Sequence, residues 1–302
     1  MENESLLNFT EVFQKIESLR DPIMLASFVR RNGFNTTAVT SLSRFAKFHD
    51  AQVIATLAPE DFYDFSVTPP VVSSEDGKRL IEWPKNEIFL IRSDRLSRDI
   101  LVMTGVEPHL KWPTFSNAVH NFIKQQSIQD LLVVRTWPGA VPHTRPVLIR
   151  LTTKYKELAR ALDLPDIDND YSGPVDIGGV LSSLQINSGG HTGGLTAVVP
   201  NYLGVVPNPL VVLALVEIFD RVAGTETNLS EFESAANDLK LRADQEMSSS
   251  EEFRRALEEM ESSYEEVINN FTGRNTANPN EGELPSSDDI LRDVEKFLRS
   301  ND

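Results

Sequence analysis

Five side chains in this sequence are of types that could do chemistry: Asp64, Glu107, His109, His143 and Arg145. His143 and Arg145 lie in the stretch AVPHTRP at 140–146, where each proline fixes its own φ near about −65° and biases the residue before it toward extended geometry. A general base and an anion clamp on so stiff a loop would lose little entropy on engaging a ligand, and the same stiffness suits a corner that only redirects the chain. Glu107 and His109, with Lys111 beside them, belong to GVEPHLKWPTF at 105–115. Asp64 sits among three aromatic residues in DFYDF at 61–65; buried, it would be a base with a raised pKa, whereas a loop pinning its rings in the core leaves it no such role.

Other chemistries find less support. No pair of these residues has the HExxH spacing of a helical metal site, and no serine stands in a GxSxG elbow. The chain has no cysteine, so thiolate catalysis, disulfides and cysteine-held metals are excluded, and a reducing cytoplasm fits. SGGHTGG at 188–194 follows a helical pattern and leads into the strand-like LTAVV, the reverse order of a phosphate loop, so it reads as a helix-to-strand turn carrying His191. No cofactor is implied.

In the elements that hold these residues, short apolar runs alternate with helical patterns. IMLASF, QVIATL, EIFLI, ILVMTG, LLVVRT, PVLIRL and LTAVV read as strands, rich in Ile, Val and Leu. Helices are expected at 39–48, after Pro113, over YKELARAL, over IGGVLSSLQI and over PLVVLALVEIFDRV, ending near Gly224. Such alternation argues for an α/β sandwich with a largely parallel sheet. In an open sheet of this kind ligands bind outside the carboxyl ends of the strands, which places Glu107, His109, His143 and Arg145 around one candidate cleft.

The domain reading is an N-terminal helical extension at 1–20, an α/β domain at 21–224, a helical hairpin at 225–271, a linker at 272–285 and a terminal amphipathic helix at 286–302. Formal charge is −16, of which residues 226–302, with 20 acidic and 8 basic side chains, carry −12. A chain without a basic stripe is poorly suited to phosphate backbones, so nucleic acid is not an expected partner. The longest apolar run, LVVLALVEIF at 210–219, is about half a membrane span, so no membrane insertion is expected.

Six stretches in this order, FYDFSVTPPVV, EWPKNEIFL, RDILVMTGVEPHLKWPTF, AVPHTRPV, YSGPVDIGGVL and VPNYLGVVPNPLVVLAL, resemble the PAC2 family, relatives of proteasome assembly chaperone 2. The resemblance implies a three-layer α/β/α core similar to nucleoside phosphorylases with a C-terminal helical appendage, homo-oligomers with a trimer favoured, no established catalytic activity, and a non-catalytic role as an ATP-independent assembly chaperone or scaffold for proteasome-like complexes. Two stretches depart from the family pattern: its glycine-rich segment reads ASFVRRNGFNTTAV, and Pro69 stands where an arginine is usual. The alternative function is a binding protein or enzyme for a nucleoside or phosphorylated metabolite, using a cleft at the strand ends carried by Glu107, His109, His143 and Arg145.

Overall fold

The computed structural model describes residues 7–10 and 18–271, apart from 32, 76, 95, 97, 165 and 168–170. Eleven strands appear among these residues: β1 Leu7–Phe9, β2 Ile23–Val29, β3 Gln52–Leu57, β4 Val71–Glu75, β5 Lys78–Glu82, β6 Asn86–Ile91, β7 Ile100–Val106, β8 Asp130–Gly139, β9 Ile149–Thr153, β10 Asp166–Ile167 and β11 His191–Pro200. The helices are α1 Thr36–Phe48, α2 Trp112–Gln125, α3 Lys156–Leu162, α4 Ile177–Asn187, α5 Pro209–Ala223, α6 Ser230–Met247 and α7 Glu251–Phe271. Nine strands form one sheet in the order β1-β3-β6-β7-β2-β8-β11-β9-β10, while β4 and β5 form a separate two-stranded sheet. The centre, β7-β2-β8-β11, is parallel, and antiparallel pairings flank it on both sides.

Period-two alternation divides each central strand between two cores. Ile23 and Leu25 of β2, Ile100 and Val102 of β7, and Leu132 and Val134 of β8 face α1, α3 and α5. Their neighbours Met24 and Ala26, Leu101 and Met103, and Leu131 and Val133 face α2 and α4. Strands buried on both faces need to be apolar throughout, which is why these runs show no polar alternation. The result is the three-layer α/β/α core expected from the sequence.

Local signals set the helix ends. Asn208 accepts hydrogen bonds from the N–H groups of Leu210 and Val211 at the start of α5, Pro209 occupies the first turn, and Gly224 closes the helix with φ of 67°. SGGHTGG divides: residues 188–190 turn out of α4, and His191 already begins β11. Residues 7–9, expected to be helical, are instead a strand paired antiparallel to β3, with Leu7 buried in the core beneath α2. The linker at 272–285 and the helix at 286–302 lie outside the described residues.

The helices α6 and α7 follow one another and pack together. Leu229 and Phe232 lead α6 onto the core under α5. Tyr264 and Phe271 of α7 close a small satellite core over Val141, Leu148 and Val198. The Tyr264 hydroxyl donates to the carbonyl of Pro146 at 2.6 Å, so the hairpin rests on the AVPHTRP loop. Tyr264→Ala removes that bond and a buried ring, at a cost of about 3 kcal/mol or a roughly 100-fold rise in the undocked population. Limited proteolysis should then cut within 225–271 first and leave the α/β body resistant; an unchanged digestion pattern would show that α7 is held by other contacts.

Candidate functional site

The carboxyl ends of β2, β7 and β8 converge on the first turn of α4. Each contributes a charge: Arg30 follows β2, Glu107 follows β7, Arg135 stands within β8, and Asp176 precedes α4. The helix start leaves backbone N–H groups without helical partners, and the two carboxylates supply them. Asp176 Oδ1 accepts from Gly179 N at 2.8 Å, and Glu107 Oε1 accepts from Ile177 N at 2.9 Å. Arg135 then grips Asp176 through both carboxylate oxygens, each at 2.7 Å, the planar two-pronged geometry that makes such pairs strong. Arg30 completes the cluster at 3.4 Å from Glu107.

Close packing makes room for nothing else. A Cβ on Gly178 would come within 2.5 Å of Val133 Cγ1, so the absence of a side chain there lets α4 lie directly on β8. Asn35 is buried, donates to the carbonyl of Phe28 at 3.2 Å and accepts from Thr136 N at 2.9 Å, tying the ends of β2 and β8 together. The crevice bounded by Arg30, Asn35, Glu107, Arg135, Asp176 and Gly178 has no space for a water molecule. Burial by itself would raise the Asp176 carboxyl, but the hydrogen bonds and charge of Arg135, the Gly179 N–H and the charge of Arg30 together hold it below its ordinary value.

The five residues singled out by type occupy three separate environments. Glu107 belongs to the strand-end cluster. His109 and Asp64 meet at the FYDF loop, where the Asp64 N–H donates to His109 Nδ1 at 3.0 Å, leaving Nε2 to carry the ring proton toward Thr68 Oγ1 at 3.4 Å. Asp64 is exposed rather than buried, and hydrogen bonds from the Ser66 hydroxyl and N–H hold its carboxyl below the ordinary value, so it is not a raised-pKa base. Phe62 and Tyr63 are the buried members of that loop.

His143 is buried beneath the helical hairpin. Tyr202 Oη accepts from the His143 N–H at 2.8 Å and is therefore free to donate its own proton to Nδ1 at 2.6 Å; Nε2–H then points at Asp244 Oδ1 of α6, 3.0 Å away. Thr144 donates to Glu261 of α7, while the Arg145 side chain is exposed. AVPHTRP is thus a rigid corner on which the hairpin seats. No hydrogen bond or ion pair joins Glu107, His109, His143 and Arg145 to one another among the described residues: Glu107 meets Arg30 and the Ile177 N–H, His109 meets the FYDF loop, and His143 meets Tyr202 and Asp244. Arg30, Arg135 and Asp176 escaped sequence reasoning, although Asp176 before IGG is a recognisable N-cap and Arg135 is a charge inside an apolar strand.

Comparison with known proteins adds a lineage to this geometry. Residues 39–247 match the PAC2 family, a span that runs past Gly224 through α6. The structure of a PAC2 family protein from Streptomyces avermitilis is 30% identical, covers 78% of this chain and 100% of its own, and superposes with a TM-score of 0.67. A proteasome-assembly chaperone homologue from Mycobacterium tuberculosis is 26% identical over 78% of this chain and 99% of its own, with a TM-score of 0.66. PbaB from Pyrococcus furiosus, an archaeal proteasome activator, shares the fold at 14% identity and a TM-score of 0.59, covering 80% of this chain and 98% of its own. The chain matches none of the curated proteins.

The depressed Asp176 carboxyl sets a pH dependence. Its folded pKa lies below its unfolded one, so the stability it contributes is complete above the unfolded value near about 3.9 and is lost as pH falls through the folded value. Asp176→Asn should cost about 2 kcal/mol at neutral pH by leaving Arg135 unpaired, and should flatten the decline in stability below the ordinary carboxylate range. Urea melts of both proteins from neutral to strongly acid pH test this, and parallel pH profiles would contradict it.

Proposed function

The chain belongs to the PAC2 family, and from that premise we propose that it is a non-catalytic, ATP-independent assembly chaperone or scaffold for a proteasome-like complex. The observation that carries this reading is the filled crevice: the position where an open α/β sheet ordinarily binds a ligand is occupied by the protein's own ion pairs. Function then falls to the surface. The relatives described as a proteasome-assembly chaperone homologue and as a proteasome activator supply the kind of client. By the same reading the body is a homotrimer and works in the cytoplasm. No helix among the described residues is long and apolar enough to cross a membrane.

A chaperone of this kind should be captured with its client. Pull-down of the tagged chain from its own host, followed by mass spectrometry, should recover proteasome ring subunits at stoichiometric yield, and recovery of the chain alone would count against the proposal. A nucleoside or phosphorylated metabolite at the strand ends would require the cluster to open. Thermal-shift screening against nucleosides, nucleotides and phosphate should therefore be flat, whereas a true ligand at ~100 times its Kd would add about 2.7 kcal/mol and reverse the reading toward a small-molecule site.

A further inference from the structure

The β4–β5 hairpin carries exposure that no contact among the described residues explains. It is a two-stranded sheet of its own, every residue of β5 is exposed, and Val71, Val72, Leu80, Ile81 and Trp83 are between 41% and 63% exposed. Its base is anchored, since the Trp83 ring meets Phe65 edge-on with centroids 4.9 Å apart. Two strands alone are marginal in water, and a strand whose outer edge is unpaired is a template for a further strand.

Register decides which groups that edge offers. Ser73 lies opposite Leu80 and Glu75 opposite Lys78, with two residues between the latter pair. The pair flanking a two-residue turn exchanges both of its hydrogen bonds, so the backbone groups of Lys78, Leu80 and Glu82 point toward β4 and those of Arg79 and Ile81 point outward. The exposed strand KRLIE also has a charge order that complements its own reversal, basic at one end and acidic at the other.

We propose that β5 pairs antiparallel with β5 of a second copy of this chain about a two-fold axis at Leu80, building a four-stranded intermolecular sheet. In that register Arg79 and Ile81 of the partner subunit exchange both hydrogen bonds, as do Ile81 and Arg79 of the partner subunit. Lys78 faces Glu82 of the partner subunit, and its mirror pair closes the other end. Leu80 meets Leu80 of the partner subunit as the closer, non-hydrogen-bonded pair. The opposite edge offers no such match, because reversing VVSSE about Ser73 sets Val71 against an acid and forms no ion pair. The contact is isologous and independent of any client, so it joins two copies whatever the body's own assembly, and on the trimer of the proposed function it makes a hexamer.

The absence of cysteine makes the test specific. Paired residues of this type place Cα atoms about 4.5 Å apart, within the span a disulfide bridges, so Leu80→Cys should give a covalent dimer with diamide on a non-reducing gel. Ser73→Cys lies three strand spacings from its copy, about 14 Å, and should not cross-link. Lys78→Glu and Glu82→Lys should each weaken association about tenfold and halve the mass seen by light scattering, while the combined Lys78→Glu/Glu82→Lys chain regains the original mass. Cross-linking through Ser73→Cys instead, no cross-linking at Leu80→Cys, or a mass indifferent to both charges would overturn the pairing and leave the hairpin to a different partner.

Discussion

Two carboxylates at the start of α4 hold the strand ends of this protein closed. Asp176 and Glu107 satisfy the N–H groups of Gly179 and Ile177, and Arg135 and Arg30 neutralise the carboxylates. Each half supports the other, since a part-buried carboxylate without its arginine, or the reverse, leaves a charge poorly compensated. With both in place α4 can lie against β8 at Gly178, and Ile177 and Leu181 can join the core under α2.

That clamp fills the strand ends. In many open α/β sheets the same location receives a substrate; here the segment ASFVRRNGFNTTAV, which departs from the family's glycine-rich pattern, supplies Arg30 and Asn35, and both help fill it. Two of the titratable groups that looked reactive in sequence are likewise used internally: His109 fixes the FYDF loop and His143 seats α6 on the AVPHTRP corner. Two surface features stand apart from this interior, an acidic helical hairpin and a β-hairpin that exposes Val71, Val72, Leu80 and Ile81.

The layers were legible because fully buried strands must be apolar on both faces, and runs such as LLVVRT satisfy that within a few residues. Helix starts were legible where a local cap exists, as at Asn208 and Pro209. Residues 7–9 were not, because a three-residue strand on a sheet edge carries too little pattern to distinguish it from a helix turn. The β4–β5 hairpin also went unread, its Val71, Val72, Leu80 and Ile81 lacking the long apolar run of a core strand. Of the candidate site, the placement of Glu107 at a strand's carboxyl end was readable, but its meaning was not: Arg135 and Asp176 are 41 residues apart, and only the packed fold makes them a pair. His143 could not be placed because its partner Asp244 lies 101 residues away on a different element.

Hydrogen exchange at two amides measures the clamp directly. If Asp176 and Glu107 hold the helix start as described, the Ile177 and Gly179 N–H groups open only with the whole molecule and exchange as slowly as the central amides of β2 and β8 at neutral pH. Exchange of those two amides within minutes, while β2 and β8 stay protected, would mean that the strand ends open on their own and that a ligand can enter where the structure is closed.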